Sequence, residues 1–177
     1  NDPVTIEAAV KNVETLIVKV FHINAFNYYR DNLQEVNTDI DLDGLVANSQ
    51  ETEKYADSPL HRVTRRFKFP GLTKPGVYVI DLIGNGRSSR VLIRKGRLRY
   101  LVRMGPAGQI FSVLGHDQKH LKDTSIWHGG RRYNANDNGF ITIPFTNQPG
   151  REPLILTHGD FATLDFFQHK AENYALA

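Results

Sequence analysis

The sequence predicts an all-β chain built as two tandem antiparallel β-sandwich domains. Three observations carry that expectation. Runs rich in β-branched and aromatic residues recur along the chain, and several of them alternate apolar with polar. The dipeptide Asn85-Gly86 lies between two apolar runs, the strongest short-range signal for a hairpin. Beyond Gly105, short apolar runs recur with Gly, Asn, Asp and Pro clusters between them, as they do in sandwiches.

Glu14 to Asn24 (ETLIVKVFHIN) is too rich in β-branched and aromatic side chains to favour a helix. It places Leu16, Val18 and Val20 on one face and Ile17, Lys19 and Phe21 on the other. Phe26, Tyr28 and Tyr29 follow as an aromatic cluster, and residues 47–59 read as a surface loop or a short helix. Arg62 to Phe69 alternates again, with Val63, Phe67 and Phe69 on the apolar side. Gly76 to Ile83, the Asn85-Gly86 turn and Arg90 to Arg94 form the predicted hairpin, and Leu98 to Arg103 continues extended.

Gly105-Pro106-Ala107-Gly108 reads as the boundary between domains at 1–103 and 104–177. The second domain takes strands near 109–114, 124–128, 140–145, 153–157 and 162–167. The expected core contains Leu16, Val18, Val20, Phe67, Val77, Val79, Val91, Ile93, Ile110, Ile126, Ile141 and Leu156. No convincing helix is legible, although residues 170–176 suggest one short turn.

Charge is unevenly distributed. Residues 1–60 hold four Lys and Arg against eleven Asp and Glu, whereas residues 61–103 hold twelve against one. Strands of one sandwich interleave such segments, so the charges face each other and cancel the far field that would steer nucleic acid. There is no cysteine, which excludes disulfides, thiolate chemistry and Cys-built zinc sites. No apolar run reaches the length of a membrane span. A start at Asn1 rather than Met reads as a piece of something longer.

Candidate chemistry is sparse. Gly84-x-Gly86-x-x-Ser89 has the outline of a phosphate loop, but a β-rich segment follows where a helix N-terminus is needed. Asp39, Asp41 and Asp43, followed by Gly44, open like a calcium loop and are the candidate metal ligands. The twelfth position is Gln50 rather than the bidentate Glu, so an acidic turn is the preferred reading and no other cofactor is expected. The seven histidines show no metal-ligand spacing, and no nucleophile elbow occurs.

The basic stretch from Arg87 through Arg90, Arg94, Arg97 and Arg99 to Arg103 is the main candidate binding surface. Only Tyr100 interleaves with it, which disfavours nucleic acid, and solvated or interdomain charge is the preferred reading. Trp127 and Tyr133, beside Arg131 and Arg132, give the alternative of a carbohydrate- or polymer-binding platform; packing is the preferred role for the Trp.

Phe69 to Phe145 resembles the early macroglobulin-type domains of large α2-macroglobulin-like proteins, bacterial ones above all. The residues that carry this are Phe69-Pro70-Gly71-Leu72, Pro75-Gly76-Val77-Tyr78-Val79, Ser89 to Ile93 and Leu98 to Val102. In the second half they are Gln109 to Leu114, Leu121 to Ile126 and Asn138 to Ile143. The resemblance implies tandem seven-stranded sandwiches of immunoglobulin-like or prealbumin-like type. It also implies a non-catalytic scaffold or docking role in a longer secreted, periplasmic or envelope protein. The implied partners are neighbouring domains of the same chain and another protein such as a protease. Without Cys there is no thioester here, and protease trapping carries over to no residue of this chain.

Overall fold

The computed structural model describes residues 3–172, which form two compact units. One runs through residues 3–23 and 37–95, the other through 24–36 and 96–172.

In the first unit, strands β2 (Thr15–Ile23), β3 (Ser49–Lys54), β5 (Gly76–Gly84) and β6 (Arg87–Lys95) form an antiparallel sheet in the order β3-β2-β5-β6. Strands β1 (Val4–Lys11) and β4 (Arg62–Phe69) pair as a separate ribbon. Alternation fixes which face is covered. Leu16, Val18, Val20, Tyr78, Ile80 and Leu82 form the core with Leu72, and Val4, Ile6, Ala8, Val10, Phe67 and Phe69 of the ribbon pack against it. On the opposite face of the ribbon Glu7 and Arg66, cross-strand partners, make an ion pair at 2.5 Å.

The hairpin forms as the sequence predicts. Asn85 (φ 49°) and Gly86 (φ 70°) both take the positive φ of a type I′ turn, and Gly84 pairs with Arg87. Strand β5 is buried on both faces. Val77, Val79 and Asp81 point away from the core, and Asp81 is met there by Arg90 and the Ser88 hydroxyl. Arg90 also donates to the carbonyls of Ile40 (2.7 Å) and Thr38 (3.3 Å), tying the 37–48 segment to the sheet.

The second unit is a sandwich of three strands on four. Strands β7 (Arg99–Gly105), β8 (Gly108–Leu114) and β11 (Phe140–Ile143) run in the order β11-β8-β7. Facing them are β9 (Thr124–His128), β10 (Arg131–Asn134), β12 (Gly150–His158) and β13 (Phe161–His169), in the order β10-β9-β12-β13. Leu98, Phe111, Val113, Ile126, Ile141, Ile143, Leu154, Leu156 and Phe167 fill the space between.

A helix, α1 (Ala25–Asn32), belongs to this second unit and corrects the helix-free expectation. Asn24 caps it by accepting from the Asn27 N–H at 3.2 Å, and Leu33 closes it in the left-handed conformation. Ile155 alternates with the core residues Leu154 and Leu156, so it faces away from the core, yet it is fully buried. The helix packs on β12 and β13 and covers that face. Phe26 meets Trp127 edge to face at 6.1 Å.

The unit boundary also differs from the expected 103/104 division. Gly105 pairs with Gly108, so Gly105-Pro106-Ala107-Gly108 is a two-residue hairpin turn inside the second unit. A side chain at Gly108 would run into the Ile143 carbonyl, which explains the glycine. Residues 47–59, expected as loop or helix, contain β3. Ile110 lies outside the core, because Phe111 and Val113 take the inward positions of β8. The helical turn suggested near 170–176 falls largely outside the described residues.

Candidate functional site

The structure distributes the predicted site residues rather than gathering them. Asp39, Asp41 and Asp43 do not converge as a metal site: no group of three or more metal-ligating side chains occurs among the described residues. Asp41 instead accepts the N–H of Asp43 at 2.9 Å, and Asp39 donates its N–H to Asn37, so the segment is a pair of side-chain-capped turns.

The basic stretch is divided between the two units and does several jobs. Arg87 is exposed beside the Asn85-Gly86 turn, and Arg94 is exposed on β6. Arg90 braces Asp81 and the 37–48 segment, while Lys95 donates to the Leu72 carbonyl at 2.5 Å. In the second unit Arg97 pairs with Asp165 at 3.3 Å. Arg99 and Arg103 are exposed on β7, and no carboxylate among the described residues pairs with either. Arg103 lies over the Phe140 ring at 5.6 Å.

Trp127, Tyr133, Arg131 and Arg132 are engaged in packing. Arg132 sits over Phe26 at 5.0 Å and reaches Ser125 at 3.3 Å, and Arg131 lies over Tyr133. Trp127 packs on Phe26, and it lies opposite Arg132 while Tyr133 lies opposite Ile126, so the two aromatics fall on different faces and do not form an open stacking platform. Three of the seven histidines are structural too: His120 meets the Gly139 carbonyl at 3.0 Å, and His128 and His169 each hold a proline carbonyl.

What sequence reasoning missed is the contrast between two edges of the second sandwich. Among the described residues β13 pairs only with β12, and its outer edge is sealed by side chains. The buried amide of Gln109 donates to the Gln168 carbonyl (3.0 Å) and accepts the Lys170 N–H (2.8 Å). The Tyr100 hydroxyl donates to the Phe166 carbonyl at 2.6 Å, and burial pushes that phenol above its ordinary pKa, with Asp165 adding to the rise. Among the described residues strand β7 pairs only with β8, and no comparable side-chain bond covers its outer edge.

The exposed side chains of β7 are apolar as well as basic: Leu101 is 63% exposed, Met104 51% and Val102 44%. Leu101 shares the outer face with Arg99 and Arg103, and Tyr100, Val102 and Met104 share the other. In sequence this segment read as one more extended run. Its signal was Arg-Tyr-Leu-Val-Arg-Met, a strand in which neither face is wholly polar.

Comparison with known proteins now bears on this geometry. Residues 16–96 match the family model of the AbpF first immunoglobulin-like domain. The fold is immunoglobulin-like. That match ends one residue past the end of the first unit, in keeping with the 95/96 boundary. The chain is 41% identical to Actin-binding protein F of Dictyostelium discoideum over 184 aligned residues, which take in all of this chain. It spans only 8% of that protein's length. Among solved structures, native alpha-2-macroglobulin from Escherichia coli, spanning domains MG0-NIE-MG1, is similar with a TM-score of 0.50. The alignment covers 93% of this chain and 58% of that one at 12% identity, a likeness of fold alone.

Proposed function

We propose that the chain is a non-catalytic docking module of a longer protein and that it contributes to contact with actin. The observation that carries this reading is the 41% identity along the whole chain to a protein named for binding actin. A scaffold role agrees with the site geometry. His120, His128 and His169 meet backbone carbonyls, the Asp41 carboxylate caps a turn, and Trp127 is packed against a helix residue. The macroglobulin part of the earlier expectation rests on shared architecture at 12% identity and is not extended to protease trapping.

Co-sedimentation of the 177-residue chain with filamentous actin tests the proposal. Saturable pelleting that weakens as salt rises is expected, because the unpaired arginines of β7 favour an acidic partner. A chain that stays in the supernatant at every actin concentration would reduce the module to a spacer between other parts of its parent protein.

A further inference from the structure

We propose that the outer edge of β7 is a docking edge that takes an extended acidic and apolar polypeptide segment as an added strand. This rests on the reading of the chain as a docking module, and it names the surface and the chemistry of the partner.

Backbone register supplies the first argument. Gly105 opposite Gly108 closes a two-residue turn, so that pair is hydrogen-bonded and the pairs alternate from it. Leu101 and Arg103 therefore turn their N–H and C=O groups toward β8. Tyr100, Val102 and Met104 turn theirs outward, where no strand of the described residues receives them. Unpaired edge groups of this kind are a template for another chain.

The second argument is the difference in how the sandwich treats its edges. On β13 the outer backbone groups are held by Gln109 and Tyr100. On β7 the exposed edge instead carries Leu101, Val102 and Met104, apolar side chains that gain by being covered.

Charge then selects the occupant. Arg99 and Arg103 stand two places on either side of Leu101 on the same face, without carboxylate partners among the described residues. An added strand with an acidic residue, an apolar one and a second acidic one at every other position matches that row. A second copy of β7 does not. Antiparallel pairing centred on Leu101 would set Arg99 opposite Arg103 twice, with no acidic group between. The chain's own acidic edge, β3, does not match either: Glu51 and Glu53 are two residues apart, with Thr52 between them, whereas the two arginines are four apart.

The test titrates the 177-residue chain with two synthetic heptapeptides, Thr-Glu-Thr-Val-Thr-Glu-Thr and its Glu→Lys counterpart, and follows the backbone amides by NMR. The acidic peptide is expected to shift the amides of Tyr100, Val102 and Met104 and slow their exchange. Val102→Pro removes an outward N–H without touching the β8 ladder and is expected to abolish binding. Arg99→Glu with Arg103→Glu is expected to weaken the acidic peptide about tenfold and to favour the Lys peptide. Each variant is first shown to be folded by its thermal transition, and the charge-reversal pair stands if the proline variant does not fold.

No binding of the acidic peptide, shifts mapping elsewhere, or affinities untouched by the charge reversal would overturn the proposal. So would self-association of the wild-type chain that Val102→Pro abolishes, which would identify a second copy as the occupant. Actin pelleting of the wild-type chain is scored separately. Its failure would count against the actin reading, and failure of the peptide arm against the β7 edge.

Discussion

Gln109 and Lys170 lie 61 residues apart, and the side-chain amide of the first accepts the backbone N–H of the second at 2.8 Å. The same amide donates to Gln168, so one buried side chain on β8 replaces the strand that β13 lacks at its outer edge. Among the described residues the sandwich is thereby closed along β13 and left open along β7.

Replacing that amide should be costly. Gln109→Leu keeps similar bulk but orphans a carbonyl and an N–H. The expected loss is about 2–4 kcal/mol, from two groups left without partners at about 1–3 kcal/mol each, softened where water reaches them. Thermal or urea unfolding would measure it, and a loss below about 0.5 kcal/mol would mean the edge is not held by this residue.

The basic stretch should split by position. Arg90→Ala leaves the buried Asp81 with only the Ser88 hydroxyl and frees the 37–48 segment, for an expected loss of about 2–4 kcal/mol. Arg99→Ala touches no internal partner and should stay within about 0.5 kcal/mol of wild type. Equal effects in urea unfolding would contradict the assignment of one arginine to structure and the other to surface.

Gly86→Val tests the hairpin. A β-branched residue at φ 70° is strained by about 1–2 kcal/mol, which lowers the first unit's melting temperature by about 4–16 °C. An unchanged transition would reject the type I′ turn.

Phe26→Ala should loosen α1 from the second sandwich by about 1–2 kcal/mol, because it removes both the Trp127 contact and that of Arg132 over the ring. Trp127 is the single tryptophan of the chain, so its fluorescence reports the helix directly. A red shift is expected; an unmoved spectrum would argue against the contact.

Alkaline pH provides a further check. Burial, then Asp165, raises the pKa of Tyr100, so folding favours its neutral form. A group raised on folding stabilises fully below its unfolded pKa of about 10 and loses that contribution as pH climbs through the folded value. Melting temperature should therefore fall more steeply above about pH 10 in wild type than in Tyr100→Phe. Parallel profiles would contradict the burial of this phenol beside Asp165.

Much of the fold was legible because burial and alternation coincide. Leu16, Val18 and Val20 alternate with partly polar neighbours, and they are core. The pairs of positive φ at Asn85 and Gly86 follow from their chemistry alone. Legibility failed where structure is imposed from a distance. Strand β3 is exposed throughout and offers no apolar pattern; it is a strand because β2 supplies an edge for it. Helix α1 is built from Phe, Tyr and Asn, weak helix formers, and it is stabilised by Asn24 and by packing on β12 and β13. Ile110 and Phe111 are adjacent and equally apolar, so only pairing decides which of them faces the core.

The candidate site was the least legible part. Arg90 and Arg99 belong to one basic run, and nothing local separates the one that braces Asp81 from the one that meets solvent. Which strands end a sheet is a property of sheet order, and sheet order is set by contacts across the whole chain.

Amide hydrogen exchange on the isolated chain tests the central claim, an open β7 edge beside a sealed β13 edge. The account predicts fast exchange at Val102 and Met104, slow exchange at Leu101 and Arg103, and protection of Lys170 that Gln109→Leu removes. Uniform protection along β7, or a Lys170 amide indifferent to that substitution, would contradict it.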